Sequence, residues 1–302
     1  MITAVLYFHG ERVFPMAQVL DRPLIQHVVE QLVERGVRAI RLLYRAEEEV
    51  AAQHLGDGTR WGIRVTSIPV KGQHTKEDFT AACSDVEPGL FLCGNAARLP
   101  HLPKDLAASA PWSSLFFEEE DGVGSWSGWA LVESAVLPAF GEAVVCGLAW
   151  REACRTAGIQ AKKVFLEHPG LSGTSPREIL LANRRALNGQ YPGLFFTGRE
   201  QQPGVWIARG VKVAASARLQ APCYIGEDSW IGADCSVGPY SVIAPGSVVE
   251  RGTSVTGSVV SEKTFLGPEL EISDSMVVRN HVYNVRLDVD FVVGEDHIAS
   301  GL

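Results

Sequence analysis

The sequence has little cysteine, no long apolar run and no excess of basic charge, and each absence removes a class of protein. The six cysteines (Cys83, Cys93, Cys146, Cys154, Cys223 and Cys235) are scattered, mostly among apolar or small neighbours. They form no CxxC pair and no dense pattern, so neither a disulfide framework nor a zinc site is expected. Reduced thiols in the cytoplasm are the reading that remains. No stretch approaches the ~18 apolar residues of a membrane span. The apolar opening, residues 2–8, lacks a basic flank and breaks at His9-Gly10-Glu11-Arg12, so no secretory leader is expected. With 27 Lys and Arg against 35 Asp and Glu, the formal net charge is -8, and no basic stripe suited to nucleic acid is visible. A small anionic ligand stays open, because a few backbone amides and one arginine suffice to hold it. There is no Walker loop and no G-x-S-x-G elbow, and His54, His74, His101 and His168 show no ligand spacing.

What is present is ordinary material for two cores. The hydrophobic fraction is 46% and the charged fraction 21% over 302 residues, enough for two domains of the usual ~100–200 residues. The C-terminal part contains a repeat. Every sixth residue is aliphatic from Ile207 through Val213, Leu219, Ile225, Ile231, Val237, Ile243 and Val249 to Val255. Four positions after each of the first eight lies a small or modest residue: Val211, Ala217, Cys223, Ser229, Cys235, Ser241, Ser247 and Thr253. Each hexad supplies one short strand and one tight turn, and roughly three hexads close a triangular coil. The aliphatic residue fills the prism, and the small one sits near a corner where bulk does not fit. Gly226, Gly232 and Gly238 follow the aliphatics of the middle repeats, as expected of turns that need φ > 0. Beyond Val255 the register loosens, which predicts one or two irregular coils. The tail from Asn284 is expected to leave the prism, to cap it or to meet a partner.

The first half alternates strand and helix, the pattern of an α/β domain with a largely parallel sheet. Residues 2–8 read as a buried strand. Leu24, Ile25, Val28, Val29, Leu32 and Val33 recur at helical spacing, with Gly36 as the stop. Strands are expected at 37–44, 63–70 and 90–93, and helices at 46–54 and from Ser175-Pro176 to about Leu187, ended by Gly189. The acidic run Glu118-Glu119-Glu120-Asp121 reads as a solvated loop. Trp126 and Trp129 read as core and rim packing, with stacking on a base or sugar as the alternative.

These residues carry a resemblance. Asp21-Arg22-Pro23-Leu24-Ile25-Gln26 and the loop Leu55-Gly56-Asp57-Gly58-Thr59-Arg60-Trp61-Gly62 resemble the sugar-1-phosphate nucleotidyltransferases, the nucleotide-sugar pyrophosphorylases. Leu90-Phe91-Leu92-Cys93-Gly94-Asn95 is similar to that family's strand ending in Gly-Asp. Gly173-Thr174 with the helix after it resembles its Asp-x-Gly-Thr turn. The resemblance spans essentially the whole chain. It implies a Rossmann-like catalytic domain at 1–190, a linker at 191–203 and an all-β left-handed parallel β-helix at 204–302.

The family's reaction joins a sugar phosphate to a nucleoside triphosphate, so catalysis is positioning plus charge neutralisation. The family uses a Gly-Gly-x-Gly-x-Arg loop, a lysine beside a proline, and two aspartates that hold Mg²⁺. Here the loop is shortened to His9-Gly10-Glu11-Arg12, and the lysine position is Phe14 before Pro15-Met16. The first aspartate is Asn95, and the offset to Gly173 makes the second Leu171. Four departures together point away from catalysis. The expectation is a catalytically impaired, pseudoenzyme-like relative, regulatory, scaffolding or sugar-nucleotide-binding, without catalytic residues or metal ligands. Its nucleotide or sugar candidates are Gly10, Arg12, Gly94 and Asn95. The expected partners are a nucleotide or sugar nucleotide, an active paralogue or another protein, and further copies of itself. No nucleic-acid or membrane partner is expected. The alternatives are an active Mg²⁺-dependent transferase with a rebuilt phosphate loop, which needs another carboxylate in place of Leu171, and a β-helix acyltransferase dependent on His281.

Overall fold

Ala4, Val5, Leu6, Tyr7 and Phe8 form an unbroken apolar run with almost no exposure, the signature of a strand covered on both sheet faces. In the computed structural model most of that run lies in an interior strand of a seven-stranded sheet. The structure describes residues 2–9, 13–72, 76–86, 89–106, 113–120, 123–139 and 147–302. Their contacts divide the chain into two compact units. One is Met1–Met16 with Leu24–Gly170, and the other is Ala17–Pro23 with Leu171–Leu302.

In the first unit β1 (Ile2–Tyr7) leads through α1 (Leu24–Glu34) to β2 (Ala39–Tyr44), and through α2 (Glu49–Leu55) to β3 (Arg64–Pro69). The chain then returns through α3 (Lys76–Cys83) to β4 (Leu90–Asn95) on the other side of β1. After β4 come β5 (Ser113–Glu120), β6 (Val123–Glu133), α4 (Gly147–Thr156) and β7 (Ala161–Leu166). The sheet order is β7-β5-β6-β4-β1-β2-β3. The segment β3-β2-β1-β4 is parallel throughout, and only β6 runs against its neighbours. The strand order therefore reverses between β1 and β4, which is where open parallel sheets place a ligand crevice, outside the carboxyl ends of the strands. The acidic run departs from expectation: residues 118–120 belong to β5 and pair with 123–125 on β6. Phe116 and Phe117 just before them need sheet partners, and the strand carries the glutamates with it. Asp121 lies outside the described residues.

In the second unit α5 (Pro176–Leu187) begins at Ser175, whose hydroxyl accepts the Glu178 amide at 3.2 Å, with proline in the first turn. This unit takes in Ala17–Pro23 together with the chain from Leu171, for a local reason. The Asn183 amide accepts from Leu20 N at 2.8 Å and donates to the Gln18 carbonyl at 2.8 Å, tying the short ladder of 18–19 with 22–23 to α5. Asp21 in that ladder accepts both the Thr197 amide and its hydroxyl.

From residue 205 the chain visits three parallel sheets in rotation. The first face stacks Val205–Ile207, Cys223–Ile225, Ser241–Ile243, Val259–Val260 and Ser275–Val278. The second stacks Lys212–Val213, Trp230–Ile231, Val248–Val249 and Thr264–Leu266, and the third stacks Arg218–Leu219, Ser236–Val237, Ser254–Thr256 and Glu271–Ser273. Ile225, Ile231, Val237, Ile243, Val249 and Val255 are all fully buried in one apolar cluster. The first coil is its open end, and there Val213 is 37% exposed.

Three details go beyond the repeat. First, the coils after Val255 are regular. Pairing steps from Val237↔Val255 to Val242↔Val259 and Val248↔Phe265, so each coil is one residue shorter and the ladders continue. Second, the buried small residues are not merely small. Ser229, Ser241, Ser247 and Thr253 donate their hydroxyls to Ala244, Val255, Ser261 and Gly267 carbonyls at 3.1, 2.9, 2.9 and 2.7 Å, cross-linking successive coils. Third, Gly226 and Gly232 do not sit at positive φ. A Cβ there would strike the backbone of the next coil, at Pro245 and Arg251 respectively; of the three glycines only Gly238, at φ +107°, fits the turn argument. The tail folds back. His281–Asn284 and Val289–Val292 extend the first face antiparallel, and Ala299–Gly301 covers the edge at Thr264–Leu266.

Candidate functional site

The crevice position is occupied by a stitch of hydrogen bonds. β1 and β4 end side by side, Tyr7 opposite Asn95, and the chain beyond each is held by the Asn95 amide. Asn95 Nδ2 donates to the His9 carbonyl at 2.8 Å, while Oδ1 accepts from Ala97 N at 3.0 Å and from His9 N at 3.4 Å. Both acceptor positions of that oxygen are thereby taken. The Ala96 amide adds a bond to the Tyr7 carbonyl at 2.7 Å. Asn95 is buried, and flipping its amide would set N–H groups against N–H groups, so its orientation follows from its neighbours.

Gly94 faces Trp129 across the β4–β6 pairing. A Cβ at Gly94 would lie inside the indole ring. Trp129 itself is buried and donates its ring N–H to the Arg98 carbonyl at 3.0 Å, so the stacking role considered for it is closed by packing. Trp126, half-buried, meets Phe117 edge to face at 5.5 Å. Arg98 donates to the Trp126 carbonyl at 3.0 Å.

Two guanidiniums, those of Arg98 and Arg45, act on His9 at this end of the sheet. The His9 pKa is held below its ordinary 6.5, first by partial desolvation and then by the Arg98 and Arg45 guanidiniums. Arg45 also pairs with Glu47 and Glu48, and the latter is fully buried. The depressed value has a stability consequence with a definite sign. The unfolded chain takes up a proton on His9 near the ordinary value, while the folded chain does so only at lower pH. The stability it contributes is therefore present above about 6.5 and falls as the pH drops through that range. His9→Gln is expected to flatten the loss of stability between about pH 7 and pH 5, read as thermal midpoint against pH. An unchanged slope would remove His9 from the account.

The four sequence candidates fall into two groups. Gly94 and Asn95 lie at the end of β4, beside the chain that leads into Gly10. Gly10 and Arg12 lie outside the described residues. Leu171, which the resemblance would set at the second aspartate, is a buried hydrocarbon side chain, and Phe14, which it would set at the lysine, is a half-buried aromatic. These residues do not fit Mg²⁺, which demands near-octahedral oxygen ligands, usually carboxylates: the Asn95 oxygen is already engaged and Leu171 has none. Among the described residues no three His, Cys, Asp or Glu side chains gather as a metal cluster. No helix among them is long and apolar enough to cross a membrane.

The loop at 55–62 that carries part of the resemblance is a built turn. Asp57 Oδ1 accepts the Thr59 amide at 2.9 Å, which holds the Asp57 carboxyl below its usual range. Arg60 donates to the His54 carbonyl at 2.8 Å and lies over the Trp61 ring. Gly58, at φ +83°, admits the Val65 side chain and the Ile63 carbonyl where a Cβ would intrude. His281, considered as a general base, stacks on Tyr283 and shares a hydrogen bond with its hydroxyl at 3.1 Å. One feature had no sequence signal: a groove of about 600 Å³ in the second unit, lined by Thr197, Arg199, Ile207, Arg209 and Glu227 among others. It assembles from separate coils, and Arg209 and Glu227 pair within it at 2.8 Å.

No family model and no curated protein matches the sequence. Solved structures do match the fold. A protein assigned as a glucose-1-phosphate thymidylyltransferase from Bacillus anthracis, in complex with sucrose, shares 11% identity at a TM-score of 0.51, over 62% of this chain and 95% of that one. HddC from Yersinia pseudotuberculosis, complexed with GMP-PN, shares 14% identity at a TM-score of 0.49, over 62% of this chain and 100% of that one. The fold likeness rests on the first. The N-terminal part of the chain has a sugar-1-phosphate nucleotidyltransferase-like fold.

Proposed function

We propose that this chain is a nucleotidyltransferase-like protein of the nucleotide-sugar pyrophosphorylase kind that does not run the transfer reaction. It acts instead as a regulatory, scaffolding or sugar-nucleotide-binding relative, with a C-terminal left-handed parallel β-helix and a tendency to self-associate. The observation that carries the reading is the Asn95 stitch. The side chain at the position of the metal-binding aspartate spends its oxygen on Ala97 and His9. The reaction needs several converging negative charges neutralised at once, and the described residues here supply Arg98 and a carboxylate-paired Arg45, beside a His9 held neutral, without a carboxylate pair for Mg²⁺. The Arg98 guanidinium and the neutral His9 imidazole, a hydrogen-bond donor, favour an anionic ligand at the strand ends. The fold likeness supports a nucleotide or a sugar nucleotide as that ligand, without chemistry on it.

The test is pyrophosphate release from a panel of nucleoside triphosphates with sugar-1-phosphates, alongside calorimetric titration of triphosphates and nucleotide sugars with and without Mg²⁺. The expected result is no turnover, and any binding independent of Mg²⁺. Asn95→Asp alone is expected to restore nothing, because Leu171 still offers no oxygen. Turnover at ordinary enzyme rates, lost in Arg12→Ala, would overturn the proposal and favour the active transferase.

A further inference from the structure

The three outward ladders of the C-terminal coils differ in how they meet solvent. On the first face Trp206, Tyr224, Val242, Val259 and Met276 stack outward, and the chain covers them itself. Phe196 packs on the Trp206 and Tyr224 rings at 5.1 and 5.8 Å, and α5 lies against the last two strands. On the third face the outward ladder is Arg218, Ser236, Ser254 and Glu271, polar as a solvated face should be. On the second face it is Lys212, Trp230, Val248, Phe265 and Ser300, apolar in its middle three members. Trp230 there is 52% exposed. An exposed indole in line with valine and phenylalanine is the composition of an interface core.

We propose that this second face docks a second copy of the chain about a two-fold axis that runs along the strands at Val248. The ladder is symmetric about Val248 in the sense that matters. The axis exchanges the neighbouring coils, so Trp230 meets Phe265 of the second copy, and each copy repeats the contact. The charges follow the same symmetry. The corner leading into this face stacks Gly210, Asp228, Gly246 and Lys263, all at positive φ (74°, 56°, 70° and 51°) and linked coil to coil by backbone bonds. Asp228 lies one coil to one side of Gly246 and Lys263 one coil to the other. The axis that pairs tryptophan with phenylalanine also sets Asp228 against Lys263 of the second copy, twice. Neither residue has an ion-pair partner within its own chain among the described residues. A chemically different partner would have no reason to match both the aromatic and the charge pattern under one symmetry operation. This deepens the self-association proposed above and is independent of the nucleotide reading, which is tested by titration rather than by mass.

The experiment is sedimentation velocity and light scattering on the full chain up to about 100 μM, a range that covers micromolar association. The expected species is twice the 32.7 kDa of one chain. Trp230→Glu is expected to weaken association at least about tenfold, with an unchanged circular dichroism spectrum because the side chain points out of the core. Asp228→Lys is expected to weaken it about tenfold by placing lysine against lysine, and the double variant Asp228→Lys with Lys263→Asp to restore it. A monomer at the highest concentration would overturn the proposal. So would association undiminished in Trp230→Glu, or a double charge swap no better than the single one.

Discussion

Gly94→Ala is expected to lower the unfolding free energy by about 2 kcal/mol, within the ~1–3 kcal/mol typical of overpacking a full core. The cause is the Trp129 indole, which occupies the space a Cβ would need. Trp129 is one of the largest fully buried side chains and is fixed by its hydrogen bond to the Arg98 carbonyl. It has nowhere to move without losing that bond. The check is a double-mutant cycle read by urea denaturation. Trp129→Ala alone should cost about 3–5 kcal/mol, and in that background the cost of Gly94→Ala should fall close to zero, the coupling expected of residues in contact. A Gly94→Ala variant as stable as the parent would assign the glycine to a ligand rather than to the indole. Of the two described candidate residues, then, Gly94 has a structural reason to be glycine and Asn95 a structural reason to be an amide.

Ile243→Ala is expected to cost about 3 kcal/mol, in the range of ~2–5 kcal/mol for deleting a buried aliphatic side chain. Ile243 is fully buried between Ile225 and Val260 on the first face, with coils on both sides. Val213→Ala should cost under about 1 kcal/mol, since Val213 belongs to the open first coil and already meets water. The contrast is the measurement: two aliphatics of one hexad repeat, alike in sequence role, separated by their place along the stack of coils. Equal costs would mean that the coils do not form a continuous core. Stacked repeats draw stability from their neighbours, so an interior coil matters more than a terminal one.

The repeat was legible because its cause is local and periodic. A prism that closes every three short strands demands an aliphatic residue at each turn of the pattern, and the sequence from Ile207 to Val255 records that demand directly. The pattern faded after Val255 only because each coil shortens by one residue, which defeats a search at a fixed period while leaving the ladders intact. The three glycines were legible as constraints, and two of them were misread as to cause. Gly226 and Gly232 answer to the backbone of the next coil, a contact some twenty residues away in sequence that no turn propensity reports. The acidic run was misread for a related reason: its charge suggested solvent, whereas its phenylalanine neighbours committed the strand to the sheet.

By itself the sequence determined the two kinds of architecture, the lack of a long apolar run and the lack of a basic excess. These are matters of composition, period and residue identity. Tertiary structure alone decided what the strand-end residues do. It set Trp129 against Gly94, engaged the Asn95 oxygen with the chain end of the neighbouring strand, and turned buried serines into cross-links between coils. It also left one of three outward ladders uncovered, apolar and symmetric in charge. Each depends on atoms brought together by sheet pairing between distant segments, and the energy of such a contact is written in no single stretch of the chain.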